Sequence, residues 1–300
     1  MKILLTLFAI ACMASGLAQA QAKAVVPFTI NKNIIYIYCR VNDVDSLKFL
    51  FDTGANVSVI NTSSKKTPHL LTSSTSVNTG SNGTGSVDVS DGNKFKLGSI
   101  EKNDSSFTLI DFGTDDFDGI LGTDLMKGSI LQINYNNNEI TFYNEDDNNI
   151  NYDDYVKMKL HMVDNYPAVE SVLIANGKKY KGLFGLDSGA DDLLTIAAPF
   201  AKKHGLESRM KNIGSSTFQG SEGPAYEMPI VQCPTINFSG KLLYNIPVAL
   251  SAATQGVDST TRMAGFFGNN FLKRFNTILD FNKGLVFFKV NKNLYFDVYQ

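Results

Sequence analysis

Tryptophan is absent from this chain of 300 residues, and histidine and cysteine occur three times each. Each scarcity closes a route. His69, His161 and His204 stand far apart, without the spacing that places two ligands on one face, so no metal and no cofactor are expected. Neither G-x-S-x-G, HExxH nor a phosphate-binding glycine loop occurs. Beyond the first twenty residues only Cys39 and Cys233 remain, and two cysteines do not make a disulfide framework. They read as two buried thiols, a single bridge being the other option. A net charge of −2 offers no basic surface for nucleic acid or anionic membrane. Past residue 20 no apolar run is long enough to span a bilayer.

What is present is apolar bulk and repetition. Hydrophobic residues make up 43%, with 21 Phe and 12 Tyr, ample for a core. The first twenty residues stand apart: Lys2, an apolar run Ile3 to Met13, and Ala18-Gln19-Ala20 as a small-x-small site. They read as a secretory signal over 1–20 with Gln21 as the mature start, so the protein is expected to be secreted or periplasmic. Lipid anchoring at Cys12 is the less favoured option.

The chain then says one phrase twice. Phe49-Leu50-Phe51-Asp52-Thr53-Gly54-Ala55-Asn56 is answered by Leu183-Phe184-Gly185-Leu186-Asp187-Ser188-Gly189-Ala190-Asp191. Each apolar run reads as a buried strand. Each ends in an acid that is costly to ionise there unless something holds it. A hydroxyl follows that can donate or accept, then a glycine that permits close approach. One copy would pass for a plain loop. Two copies would not, since such a phrase arises by chance on the order of once in 100,000 positions.

The repeat extends further. Asp118-Gly119-Ile120-Leu121-Gly122-Thr123-Asp124-Leu125-Met126 matches Ala264-Gly265-Phe266-Phe267-Gly268-Asn269-Asn270-Phe271-Leu272, and each runs into a hairpin. Strand-like runs Ile34 to Val41 and Val169 to Ala175 precede the two acids. The stretch NEDDNNINYDD, residues 144–154, is acidic and Asn-rich, and reads as the linker. The expected domains are 21–147 and 148–300, two copies of one all-β unit.

These motifs, in this order, resemble the two-lobed pepsin/retropepsin-like aspartic proteases over almost the whole chain beyond the leader. The resemblance implies an all-β fold of two similar lobes related by a pseudo-twofold, a monomer with an internal pseudo-dimer. It implies an aspartic endopeptidase acting on peptide or protein substrates, with Asp52 and Asp187 as a dyad. Two such acids sharing one proton is the established behaviour of that class. Thr53, Gly54, Ser188 and Gly189 would hold the two loops together. Ala55, Asn56, Ala190 and Asp191 would border the substrate, as retroviral-type enzymes have Ala after the motif where pepsins commonly have Ser. Losing those hydroxyl donors should raise the dyad's pKa values and move the pH optimum toward mild acidity.

Asn82-Gly83 is a two-residue hairpin signal. It sits where the family carries its lid, so Gly80 and Gly83 are candidate substrate contacts, an ordinary exposed hairpin being the alternative. No Tyr lies between Thr72 and Lys96, so a lid here would act sterically and through its main chain. Phe218, in the matching second-lobe hairpin, is a further candidate for the cleft or for packing. Leu294 to Val298 is expected to close a sheet between the lobes. The competing functional class is a non-catalytic two-lobed protein that holds a peptide or glycan in the same cleft.

Overall fold

The computed structural model describes residues 20–218 and 220–295. The leader as far as residue 19, including Cys12, lies outside the described residues, as do residues 296–298 of the expected closing strand. Leu294 and Tyr295 form part of a turn.

Among the described residues the chain forms two eight-stranded sheets, one per half, and a six-stranded sheet between them. The two large sheets share one strand order. In the first, the hairpin Ile34–Val41 and Val44–Phe51 leads to Gly119–Leu121, which runs parallel to Val44–Phe51 and antiparallel to Val59–Asn61. In the second, Tyr166–Ala175 and Lys178–Asp187 lead to Gly265–Gly268, which pairs likewise with Leu194–Ile196. The motif strand and the glycine-apolar-apolar-glycine strand are thus direct neighbours in both halves. An acid at the end of one strand therefore emerges beside the glycine end of the next.

Burial explains why the apolar runs show no alternation. Ile34–Val41 buries one face throughout, with Ile35, Ile37 and Val41 fully buried; on the other face Ile34 and Tyr36 are buried but Tyr38 is exposed, so only the start of the strand is covered on both sides. The second half packs around a phenylalanine cluster, in which the Phe238 ring lies 4.8 to 5.1 Å from those of Phe267, Phe271, Phe275 and Phe288. Burying each such ring stabilises by roughly 2 to 3 kcal/mol. The short helix Ala198–His204 ends at Gly205, in the left-handed region at φ 58°, the usual stop for a helix.

The six-stranded sheet joins the halves. Ile130–Asn134 pairs antiparallel with Phe275–Asp280, so the hairpin after each motif meets its counterpart at the molecular centre. Ala22–Pro27 forms one edge and Val156–Lys159 the other. Residues 144–154 carry no strand or helix but are fastened: Ile150 is buried, and the Tyr152 ring lies 4.3 Å from that of Phe287. The run Met158 to Val163 is divided between two strands. Val156–Lys159 and His161–Val163 belong to different sheets, and at the break buried Leu160 donates its N–H to Gly284 O.

The Asn82-Gly83 turn signal is displaced by one residue. Gly80 pairs with Gly83, so Ser81 and Asn82 form the turn. Neither has a positive φ. The reason is tertiary. Ser81 O accepts from Asp258 N at 3.1 Å, and Asn82 Nδ2 donates to Pro224 O at 3.2 Å. Contacts with the second lobe override the local preference for a primed turn.

Candidate active site

The two acid-bearing loops are tied by four bonds across the lobe boundary. Thr53 Oγ1 donates to Leu186 O at 2.7 Å, and Ser188 Oγ donates to Phe51 O at 2.7 Å. Each hydroxyl also accepts the other residue's backbone N–H at 3.0 Å. Both residues are buried, at 2% and 1% exposure, so every one of these bonds is made away from water and is costly to lose.

This clasp forces the carboxyls together. A Cβ at Gly54 would fall 2.7 Å from the Asp187 carboxyl carbon, and one at Gly189 would collide with the Asp52 carboxyl. Each acid is cradled by its own loop. Asp52 Oδ1 accepts from Gly54 N at 2.7 Å and Ala55 N at 3.1 Å. Asp187 Oδ1 accepts from Gly189 N at 3.0 Å and Ala190 N at 3.1 Å. The two carboxyls are within hydrogen-bond reach of each other. Withdrawal from water pushes the Asp52 carboxyl well above the ordinary range, and the charge of Asp187 adds to this. Asp187 is also raised by withdrawal from water, with hydrogen bonds opposing. Such a pair titrates as a unit and holds one proton readily.

One of those hydrogen bonds comes from a residue that sequence reasoning passed over. Tyr166 Oη donates to Asp187 Oδ2 at 2.5 Å. Tyr166 opens the strand Tyr166–Ala175, after the turn at Asp164 and Asn165. The available signal was a tyrosine placed where the first repeat has Ile34, visible only once the two hairpins are aligned turn to turn.

Above the dyad lies a cavity of about 450 Å³. Asp52, Gly54, Ala55, Asn56, Gly80, Asp187, Gly189, Ala190, Asp191 and Phe218 all line it. Thr53 and Ser188 lie beneath, as clasps. Gly83 does not line it; it packs against the backbone of Gly223 because the hairpin tip is turned into the second lobe. Phe218 serves both readings, facing the cavity while its ring lies 5.9 Å from that of Tyr226.

The hairpin Ser74–Gly80 and Gly83–Leu97 reaches across and closes the roof. Besides the bonds at Ser81 and Asn82, Asn78 Nδ2 donates to Glu222 Oε1 at 3.1 Å, and Gln255 Nε2 donates to Asn82 O at 3.3 Å. The second-lobe hairpin Lys211–Phe218 and Tyr226–Phe238 supplies the facing surface. Two further acids sit in the wall. Asp192 accepts from the Thr195 hydroxyl, and Asp258 Oδ2 accepts from Tyr226 Oη at 2.8 Å. Burial pushes Asp192 up to about 7 and Asp258 up to about 6. Cys39 and Cys233 are buried in different lobes, both free, and remote from this chemistry.

Residues 37–125 match the family model described as aspartyl protease. The crystal structure of the aspartic proteinase from Irpex lacteus is similar over 90% of this chain and 97% of that one, with a TM-score of 0.58 at 13% sequence identity. At that identity the likeness is one of fold. No curated protein matches the sequence. Among the described residues no helix is long and apolar enough to cross a membrane.

Proposed function

For this chain of the pepsin/retropepsin-like aspartic protease type, we propose the activity of an endopeptidase that hydrolyses peptide bonds with water activated between Asp52 and Asp187. One observation carries the reading: two carboxyls from different lobes face each other in a roofed cavity, each held by two backbone N–H groups. An extended peptide lying between floor and roof brings its scissile carbonyl over the pair. The ionised carboxyl takes a proton from the water as the water oxygen bonds to the carbonyl carbon, and the protonated carboxyl donates to the carbonyl oxygen. Collapse of the resulting diol breaks the C–N bond: the proton held by the first carboxyl goes to the leaving nitrogen, and one diol hydroxyl returns its proton to the second carboxyl, which restores the pair. The roof excludes bulk water, which strengthens these charge-dependent contacts.

The test is incubation of the purified protein with a diverse peptide library at several pH values, beside Asp52→Asn. Expected is internal cleavage that falls at least a thousandfold in the variant. Cleavage that persists in Asp52→Asn overturns the assignment. Peptides bound without cleavage by the wild type would favour the binding-protein alternative. Statine-type transition-state analogues should raise the melting temperature of the wild type by mass action. Export is part of the same proposal, supported by the composition of residues 1–20, and recovery of a reporter fused after Ala20 outside the cytoplasm tests it.

A further inference from the structure

The two lobes offer equivalent positions beside the two acids and fill them differently. Asn31 pairs with Ile34 around the turn Lys32-Asn33, and Val163 pairs with Tyr166 around Asp164-Asn165. All four turn residues have φ between 48° and 66°, so both are tight turns of one type. Two residues further on, Tyr36 lies opposite Leu50 and Ala168 opposite Gly185. Leu50 and Gly185 each stand two residues before their acid. Ile34 and Tyr166 therefore occupy the same place in the repeat, and both line the cavity.

Ile34 has no hydrogen-bonding side-chain atom. Tyr166 carries a phenol 2.5 Å from Asp187. Its seat is built for the ring: Phe266 packs at 5.2 Å between centroids, and Gly185 leaves space where a Cβ would lie 2.7 Å from the ring carbon Cε1. Burial and the charges of Asp187 and Asp52 hold the phenol far above its ordinary range, so it stays a proton donor.

We propose that Tyr166 is a positioning residue that breaks the equivalence of the two acids, holding Asp187 as the ionised, water-activating partner and leaving Asp52 as the protonated one. The groups acting on Asp187 are few. Gly189 and Ala190 donate from its own loop, just as Gly54 and Ala55 donate to Asp52. The alanine bonds are equal at 3.1 Å, and the glycine bond is the shorter at Asp52, 2.7 Å against 3.0 Å, so the backbone gives Asp187 no advantage. Asp52 faces it across the boundary, and the charges of Asp192 and Asp258 couple to it from the cavity wall. Protonated Asp52 donates a hydrogen bond that favours the ionised form of Asp187, whereas Asp192 and Asp258, when charged, repel it. The phenol is the strongest donor to Asp187, and its counterpart at Ile34 is missing. A donor to one carboxylate of a proton-sharing pair directs the proton to the other.

The proposal rests on the dyad reading above, and Tyr166→Phe tests it in two ways. Removing the donor should move the acid limb of kcat/KM upward by about one pH unit, with KM nearly unchanged because the hydroxyl faces a carboxylate. A loss of activity that is uniform across pH, with the acid limb in place, overturns the proposal. The second measurement does not use turnover. The urea stability lost in Tyr166→Phe should be larger at pH 7, where the pair carries more charge, than at pH 4, where it carries less. An equal loss at both values overturns the proposal even if no peptide is cleaved. Absence of Asp52-dependent cleavage would count separately, against the proteolytic reading alone.

Discussion

Thr53 and Ser188 exchange equivalent bonds, each hydroxyl donating to the carbonyl two residues before the other and accepting the other's N–H. The lobes are thus joined at the point where their acids emerge. Thr53→Val keeps the shape but leaves Leu186 O and Ser188 N without these partners. Ser188→Ala does the same to Phe51 O and Thr53 N. Each should cost about 2 to 4 kcal/mol in urea unfolding, since a buried unsatisfied group costs about 1 to 3 kcal/mol. A loss under about 0.5 kcal/mol, the range of an ordinary surface substitution, would show that the clasp does not hold the lobes.

Stability should fall as pH rises from mild acid to neutrality. Withdrawal from water is the first cause of raised pKa values at Asp52, Asp187, Asp192 and Asp258, with Asp192 at about 7 and Asp258 at about 6. Unfolded, these acids ionise near pH 4, as model carboxylates do at about 3.9. Between the unfolded and folded values the folded state holds more protons. Raising the pH through that window therefore favours unfolding, by about 1.4 kcal/mol per pH unit for each such acid. Urea midpoints should be lower at pH 8 than at pH 5, and Asp258→Asn should flatten the difference. A midpoint that climbs from pH 5 to pH 8 contradicts this.

Cleavage should peak in mild acid. The dyad is largely withdrawn from water and lacks side-chain hydroxyls at Ala55 and Ala190, which keeps its pKa values high. Ala55 N lies 3.1 Å from Asp52 Oδ1, so a hydroxyl added to residue 55 can reach that carboxyl. Ala55→Ser should extend the acid limb of the pH–rate profile to lower pH. A wild-type optimum in strong, gastric-type acid would refute the premise.

The roof should be sensitive at Gly256. Its φ of 74° and ψ of −167° are a combination open essentially to glycine alone. A Cβ there would lie 2.5 Å from Gly80 O and 2.7 Å from Gly83 N, at the tip of the lid. Gly256→Val should cost about 1 to 3 kcal/mol and push the hairpin off the second lobe. Peptide KM should rise about tenfold or more, equivalent to about 1.4 kcal/mol of lost binding. Unchanged KM would mean that closure of this hairpin does not contribute to holding the substrate.

The duplicated acid-hydroxyl-glycine phrase, the matching glycine-apolar-apolar-glycine strands and the acidic stretch 144–154 were all legible in the sequence. They are short-range patterns: apolar runs that must be buried, turn residues that must bend, and one unit written twice. From them the all-β two-lobed fold follows. Which residues complete the site was decided elsewhere. Tyr166 reaches Asp187 only because two strands of the second lobe pair in one register. The hairpin turn moved off Asn82-Gly83 because residues around 224 and 258, far along the chain, bind Ser81 and Asn82. Local chemistry decides which segments become strands and where they turn. It carries no information about which side chains from distant strands share a cavity, and that sharing sets the field around the two acids.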